Sequence, residues 1–468
     1  MRKKREYEII ENIEVLDIVS EGKAIAKQND YVIFVKNAIP GDIVDVKLVK
    51  KQTNFAEGIA INFHKYSNKR IPPFCKHFGV CGGCKWQNLS YEDQLFYKNK
   101  QVSENLKHIG KTDNFIMYPI LPSPDTIYYR NKLEFTFSNR RWLLKNEIDQ
   151  ENNCNGLGFY MPGMFDRVLD IKHCFLQKDP SNKIRLAVKN YALKNNLSFY
   201  DLRLGGGFLR NLIIRISSTN EIMVVFSFFY EDKAEIEKIL NYVSETFPEI
   251  TSLMYFINPK SNDSFSDLEI KTFKGLDYIS EQMEGLKFKI GPKSFYQTNS
   301  VQALNLYKIA RDFAELTGNE IVYDLYTGTG TIANFIAKYC KKVVGIDCIP
   351  EAINDAKANS INNNINNACF FTGDVIDILN KEFIENNGFP EIIILDPPRA
   401  GLHPNMIKII NKIKPIKIVY ISCNPPTQAR DINMLKDLYT VSKVQPVDMF
   451  PHTYHVENVV LLNLIRNK

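Results

Sequence analysis

Along the first 65 residues, apolar and polar positions alternate in short runs broken by turn residues. EYEIIENIEVLDIV, YVIFVKN, GDIVDVKLVKK and AEGIAINFHK are β-rich and are bounded by Gly22, Asn29-Asp30 and Pro40-Gly41, which predicts consecutive strands. A small OB-like antiparallel barrel fits this pattern, either as an RNA-binding module or as a β-rich docking domain. Residues 66–90, YSNKRIPPFCKHFGVCGGCKWQNLS, lose the alternation and read as an irregular loop. Helical periodicity returns over 91–110 and stops at Gly110. Between 125 and 285, the strands KLEFTF, LIIRISS, IMVVFSFF and SLMYFIN mix with helix candidates near 181–195 and 232–246, predicting an α+β unit. From about 286, EIVYDLYTG, KVVGIDC, ACFFTGDV, EIIILDPP and IKIVYISCN alternate with helical segments such as TIANFIAKYC and PEAINDAKANSINN. That alternation predicts a parallel sheet with crossover helices. The polar run NSINNNINN at 359–367 reads as a helix end and a loop. Three domains are therefore expected: a barrel over 1–65, a central α+β domain over 66–285 and an α/β domain over 286–468. The helix near 91–110 is a candidate to pack on the last of these.

Composition narrows the class. The chain has 468 residues and is 44% apolar, enough for several cores. No apolar run approaches the roughly 20 residues that span a bilayer. The basic start MRKKREYEII has no apolar stretch behind it, so it does not read as a signal peptide. Both features point to a cytoplasmic protein without a membrane partner. The net charge of +6, from 59 basic and 53 acidic residues, permits nucleic-acid binding without requiring it. An odd count of nine cysteines suggests metal binding or catalysis rather than a disulfide framework.

The third expected domain carries the chemistry. VYDLYTGTGT places a strand directly before Gly328 and Gly330, where the backbone can turn sharply and approach a ligand. Asp347 ends the next strand roughly 20 residues on, where a carboxylate can hold a ribose diol. The third strand ends at Gly373-Asp374 and the fourth at Asp396-Pro397-Pro398-Arg399. A single such Asp would more often cap a helix. Acidic residues at successive strand tips instead outline the ligand crevice of a doubly wound sheet. Two glycines suit a methyltransferase better than a dehydrogenase, which favours three. The fifth strand ends at Cys423 in IVYISCNPPTQARD, and the following prolines aim the side chain out of the sheet. An isolated cysteine is usually buried packing, whereas one at a ligand-facing strand tip is a candidate nucleophile.

Several of these stretches resemble the RNA uracil-5-methyltransferases. SCNPPTQARD (Ser422 to Asp431), DPPRAGL (396–402), SFYQTN (294–299) and DMFPHTYHVENVVLL (448–462) are similar to motifs of that family. EGKAIAKQNDYVIFVKNAIPGDIVDVKLVKK (21–51) resembles its TRAM domain. The resemblance spans nearly the whole chain and implies a Rossmann-like class I methyltransferase domain behind an RNA-binding TRAM barrel. It implies that Cys423 adds to carbon 6 of uracil, making carbon 5 nucleophilic toward the methyl of S-adenosylmethionine. It assigns the removal of the carbon 5 proton to Glu457, in HVEN. It further implies that Gln297 and Asp396 contact both cofactor and target base, that Tyr326, Asp347 and Asp374 contact the cofactor, and that Phe295 stacks near the flipped base. Two positions depart from the family pattern: Thr331 ends the glycine loop where Asn occurs, and Asp347 stands where Glu is commoner.

Cys75, Cys81 and Cys84, with a distant fourth thiol from Cys154 or Cys174, suit either structural zinc or an iron–sulfur cluster. The resemblance favours Cys174 and a 4Fe–4S cluster with a structural or RNA-orienting role, since methyl transfer needs no electron. It also favours large-subunit (23S) ribosomal RNA over transfer RNA as partner, with the protein acting as a monomer. Lys47, Lys50, Lys51 and Tyr128-Tyr129-Arg130 are candidate RNA contacts. The competing readings are an amino-group methyltransferase, which would not need Cys423, and a non-catalytic RNA-binding protein, which would not need the Asp347, Asp374 and Asp396 series.

Overall fold

The computed structural model of the chain describes residues 8–143, 147 and 154–465. Strands β1 (Ile9–Val19), β2 (Lys23–Gln28), β3 (Tyr31–Lys36), β4 (Ile43–Lys51) and β5 (Phe55–Lys65) close a barrel in the order β1-β2-β3-β5-β4. Period-two alternation puts Ala24, Ala26, Ile33, Val35, Val44 and Val46 inside it. Asn29 and Asp30 both take positive φ, 48° and 62°, as the two-residue turn joining β2 to β3 demands. Residues 6 and 7 of the expected first strand lie outside the described residues, as do the chain ends at 1–5 and 466–468.

Residues 66–90 contain no regular strand or helix. Arg70 ties this segment to the barrel through Asp42, Nη2 to Oδ2 at 2.6 Å. Helix α1 (Tyr91–His108) starts at Ser90, whose Oγ accepts from the Asp93 amide. It packs on the C-terminal domain, with Val102 and Leu106 in that domain's core.

A two-residue strand β6 (Ile116–Met117) precedes the central sheet. The sheet runs β14-β13-β12-β11-β7-β9-β10-β8 and uses β7 (Lys132–Ser138), β8 (Arg141–Trp142), β9 (Gly156–Tyr160), β10 (Val168–Asp170), β11 (Leu209–Ile216), β12 (Ile222–Phe228), β13 (Ser252–Ile257) and β14 (Lys271–Gly275). Helices α2 (Ser181–Lys194) and α3 (Lys233–Thr246) bury Ile184, Val188, Ile239 and Val243 against it. A hairpin of β15 (Ile279–Met283) and β16 (Leu286–Ile290) follows.

The expected boundary at 286 thus falls inside a hairpin. The hairpin's Met283, Phe288 and Ile290 share one core with Met223 and Phe256 of the central sheet and with Leu306 and Ala310 of α4 (Ser300–Ala314). The C-terminal sheet has the order β19-β18-β17-β20-β21-β23-β22-β6. Its parallel strands are β17 (Ile321–Leu325), β18 (Lys342–Asp347), β19 (Ala368–Thr372), β20 (Ile392–Leu395) and β21 (Lys417–Ser422). Helices α5 (Thr331–Ile336), α6 (Pro350–Asn362), α7 (Val375–Ile378), α8 (Lys381–Asn387), α9 (Pro404–Ile413) and α10 (Pro425–Leu435) connect them. β22 (Tyr439–Val447) and β23 (Glu457–Leu464) close the sheet as an antiparallel hairpin, and β23 pairs with β21. β6, more than 300 residues earlier in the chain, pairs with Lys443 and Val444 at the sheet edge. Two residues are too short for a periodicity signal, so the sequence pattern could not reveal this strand.

Among the described residues, no helix is long and apolar enough to cross a membrane.

Candidate active site

The carboxyl ends of the five parallel strands meet at one edge of the C-terminal sheet, where a doubly wound sheet forms its ligand crevice. After β17, Tyr326, Gly328 and Gly330 all take positive φ (65°, 54° and 70°). A Cβ on Gly330 would stand 2.6 Å from that of Ala356, so this turn requires glycine. A Cβ on Gly328 would meet nothing within 4 Å, so the loop is open there. The loop is braced from both sides. Asp347 Oδ2 accepts from the Gly328 amide at 2.9 Å, and its Oδ1 accepts from Ile349 at 3.0 Å. The buried Asp324 accepts from Thr327 Oγ1 at 2.5 Å and from the Ala333 amide at 3.0 Å. Asp374, at the third tip, is exposed and caps the short α7 by accepting from Ile376 at 2.8 Å.

Cys423 follows β21, and the motif around it is a scaffold. Gln428 donates to the carbonyls of Tyr420 (2.9 Å) and Asn458 (3.2 Å), and Asn458 Nδ2 returns a bond to Gln428 Oε1 at 2.7 Å. Asp431 accepts from the Leu402 amide and the Tyr420 hydroxyl, both at 2.7 Å, joining the DPPRAGL loop to α10. Asn424 Nδ2 donates to the Arg399 carbonyl at 2.9 Å. Each hydrogen bond removes a way for the half-buried thiol to move.

Glu457 opens β23. The β21–β23 ladder ends on the pair Ser422↔Asn458. Cys423 and Glu457 adjoin this last pair, and the Glu457 carboxylate acts on the Cys423 thiol electrostatically. Burial and the Asp396 carboxylate push the Glu457 carboxyl up to about 8, opposed by Arg399. Burial alone pushes Asp396 up to about 7. Burial also raises Asp324 to about 7, with Asp396 and Asp347 adding to the effect against the hydrogen bond from Thr327. The Cys423 thiol is pushed up to about 11, first by burial and then by Glu457; Arg399, also hydrogen-bonded to it, works the other way. The site is therefore a cluster of crowded acids with one cation at its edge.

The remaining expected residues surround this centre. Phe295 is 68% exposed, and its carbonyl lies 3.4 Å from Thr329 Oγ1 of the glycine loop. Gln297 is buried; its carbonyl accepts from Asn131 Nδ2 at 2.9 Å. Burial and nearby Asp374 raise the Tyr326 phenol to about 12. Sequence reasoning gave no role to Asp324, Arg399 or His455. All three sit inside quoted motifs, and that was their only signal. Burial and Arg399 hold His455 neutral down to about 4. Tyr129, expected as an RNA contact, is instead buried, its hydroxyl donating to the Pro451 carbonyl at 3.1 Å. Its neighbour Tyr128 is the accessible ring. Lys50 and Lys51 are exposed on the barrel, Lys51 paired with Glu8 at 2.7 Å.

A separate cavity of about 520 Å³ is lined by Cys75, Cys81, Cys84 and Cys174, with Arg130, Lys132, Glu134 and Thr298. Cys154 lies elsewhere, exposed beside Phe165. All four cavity cysteines are free thiols. Burial raises Cys84 to about 12 and Cys174 to about 11, and Cys84 feels the other three. Among the described residues, no three His, Cys, Asp or Glu side chains stand in a ready-made single-ion arrangement.

Comparison with known proteins agrees with this geometry. Residues 271–465 match the tRNA (uracil-5-)-methyltransferase family, and residues 9–61 match the TRAM domain. The chain is 55% identical to an uncharacterized RNA methyltransferase of Bacteroides thetaiotaomicron, over 96% of this chain and 100% of the relative. It is 52% identical to one from Porphyromonas gingivalis, over 97% and 100%. Among solved structures, it is similar to Pyrococcus abyssi tRNA (uracil-54, C5)-methyltransferase in complex with S-adenosyl-L-homocysteine. The TM-score is 0.74 at 28% identity, covering 96% of this chain and 100% of that one.

The burial of Glu457 gives a pH signature. Its carboxyl titrates at about 8 in the folded chain against an ordinary 4.5. Between those values the folded state binds more protons than the unfolded chain, so this group's contribution to stability is full below 4.5 and is lost as pH rises through 8. Glu457→Gln removes that titration. Urea unfolding of both proteins at about pH 5 and about pH 8 should show the parent losing stability relative to the variant over this interval; parallel curves would place Glu457 in a wetter site.

Proposed function

The chain belongs to the S-adenosylmethionine-dependent RNA uracil-5-methyltransferases, and from this we propose that it works through a covalent adduct between Cys423 and carbon 6 of the target uridine. The observation that carries this reading is that Cys423 and Glu457 adjoin the last pair of the β21–β23 ladder and that the Glu457 carboxylate acts on the Cys423 thiol. Uracil carbon 5 is a weak nucleophile. Addition of the Cys423 thiolate at carbon 6 delivers an enolate whose carbon 5 attacks the sulfonium methyl. Glu457 then takes the carbon 5 proton, the carbon 6–sulfur bond breaks, and the thiolate leaves. A carboxyl raised to about 8 is a stronger base than an ordinary Glu once ionised, and the cation of S-adenosylmethionine in the crevice would favour that ionised form. The thiol at about 11 is unreactive at rest, and Arg399 beside it is the group that stabilises the thiolate. The sulfonium of S-adenosylmethionine would bring a permanent cation to the acidic crevice. We assign Gln297, Tyr326, Asp347, Asp374 and Asp396 to its binding, with Gln297 and Asp396 also meeting the base and Phe295 stacking on it. Gly328 leaves room for close backbone approach.

The four-cysteine cavity is proposed to hold a 4Fe–4S cluster on Cys75, Cys81, Cys84 and Cys174. One zinc ion needs four sulfurs about 2.3 Å from a single point. Free thiols spaced around a cavity of about 520 Å³ suit a polynuclear group better. When bound, such a group contributes cross-linking of the segment rather than electron transfer.

Large-subunit ribosomal RNA is the proposed substrate, gripped by the barrel and by Tyr128 and Arg130, with the protein acting as a monomer in the cytoplasm. Target uridines must be flipped out, at a cost of a few kcal/mol that is least in loops. The likeness to the Pyrococcus enzyme, which covers the barrel as well, favours transfer RNA as a second reading.

Three outcomes test these statements. Cys423→Ala should abolish both methylation and the adduct trapped by 5-fluorouridine RNA, with S-adenosylmethionine binding retained; Glu457→Gln should accumulate methylated adduct on ordinary RNA. An undiminished adduct from Cys423→Ala, or normal turnover by Glu457→Gln, would each remove the corresponding assignment. Anaerobically purified protein should be brown with roughly four irons and four sulfides per chain; iron should be lost in Cys174→Ser and kept in Cys154→Ser, and zinc in its place would refute the cluster. In competition at one salt concentration, ribosomal transcripts should be methylated faster than transfer RNA. Methylation of transfer RNA alone would reverse the substrate.

A further inference from the structure

Residues 448–456 join β22 to β23, and the pair Val447↔Glu457 closes the neck of this hairpin. Hairpin loops are usually two to five residues, and this longer one is tied down from every side. Asp448 is fully buried, pairing with Lys98 Nζ at 2.6 Å and accepting from the Tyr91 hydroxyl at 2.8 Å. The carbonyls of Met449, Phe450 and Pro451 accept from Asn299, Lys98 and Tyr129. Tyr454 lies against the barrel, where a Cβ on Gly22 would stand 2.6 Å from its own. It also joins Ile18, Ile39, Trp86 and Tyr97 in one cluster.

His452 is the knot. Its φ of 63° is a left-handed conformation uncommon outside glycine. It is 94% buried, being 6% exposed. Its carbonyl accepts from the amides of Lys85 (2.8 Å) and Trp86 (3.1 Å), the residues directly after Cys84. Its amide donates to Gln94 Oε1 at 2.8 Å, which fixes the orientation of that side chain, and Gln94 Nε2 faces His452 Nδ1 at 3.2 Å. Nδ1 therefore accepts, and Nε2, the proton-bearing nitrogen, is buried beside the Thr126 main chain. The ring meets Phe74 edge-on at 5.1 Å. A left-handed backbone at a residue other than glycine costs stability and is not needed merely to close a hairpin.

We propose that His452 is a positioning residue for the proton-abstraction step, anchoring the 448–456 loop to the cysteine-rich segment and to α1 so that Glu457 is held beside Cys423. The proposal rests on Glu457 as the base. The neck of the loop is the pair Val447 and Glu457, and two residues before Glu457 the His455 ring lies tilted against Tyr454 with ring centres 4.3 Å apart. Cys423, the glycine loop and the strand tips lie on other connections, and the SFYQTN stretch meets the loop at the Met449 carbonyl rather than at His452, so loss of the His452 anchor spares methyl transfer. The cysteine-rich segment thus acts on the second half of the reaction through His452, whose ring is seated against Gln94 and Phe74 and whose carbonyl meets Lys85 and Trp86.

The test uses His452→Gly, which keeps the positive φ and removes the ring, and His452→Asn, which also tolerates that φ and can still meet Gln94. Single-turnover methyl transfer to RNA should stay within about two-fold of the parent in both, and KM for RNA should be little changed. Multiple-turnover kcat of His452→Gly should fall on the order of 10- to 100-fold while methylated protein–RNA adduct accumulates, with His452→Asn in between. If His452→Gly does not fold, as judged by its melting transition, the intermediate behaviour of His452→Asn carries the result. Normal turnover without adduct, or equal loss of methyl transfer and release in either folded variant, overturns the proposal. Failure of Glu457→Gln to accumulate adduct would instead remove the base assignment on which the proposal rests.

Discussion

The buried pair of Lys98 and Asp448 is the constraint on which the assembly depends. Both side chains are wholly removed from solvent and stand 2.6 Å apart. Burial lowers the lysine's affinity for its proton, and Asp448 restores part of it. Removing one partner of such a pair typically costs about 3–5 kcal/mol, because the other charge remains buried and unmatched. The pair joins α1, from the first quarter of the chain, to the loop between β22 and β23. The barrel, the cysteine-rich segment, α1 and the C-terminal sheet consequently meet around one stretch of nine residues, 448–456. A hydrophobic pair there could slide; a desolvated charge pair with directional hydrogen bonds cannot.

That rigidity explains the electrostatics of the crevice. Asp324, Asp396 and Glu457 are raised to about 7, 7 and 8 because the surrounding elements exclude water. The same exclusion holds the Cys423 thiol at about 11. Acids and thiol are displaced in the same direction, toward their neutral forms, so the resting site carries little charge and an arriving cation has a large effect. A thiol kept neutral by burial also resists oxidation, which an exposed thiolate invites.

The cysteine cavity lies outside the crevice but is not isolated from it. Thr298 borders the cavity and belongs to the SFYQTN stretch, while Lys85 and Trp86 hold His452. A group bound to the thiols would stiffen both connections.

Local patterns determined much of this protein. Alternation with an Asn-Asp turn was enough for the barrel strands, strand–helix alternation for the parallel sheet, and strand ends for Asp347, Asp374, Asp396 and Cys423. All of these depend on contacts between residues close in sequence, which is why periodicity and turn residues report them. The motifs also named Glu457, but spacing could not show that it adjoins Cys423, because that follows from the register of two strands whose ends lie 35 residues apart, Ser422 to Glu457. Nor could spacing choose between Cys154 and Cys174, join β6 to the C-terminal sheet, or bury Tyr129. Asp324 and Arg399 stood in plain view within their motifs and acquired a role only from what packs beside them. Tertiary structure decided these points because burial and register are set by distant segments, and the shifts in proton affinity that make a thiol and a carboxylate useful are caused by burial.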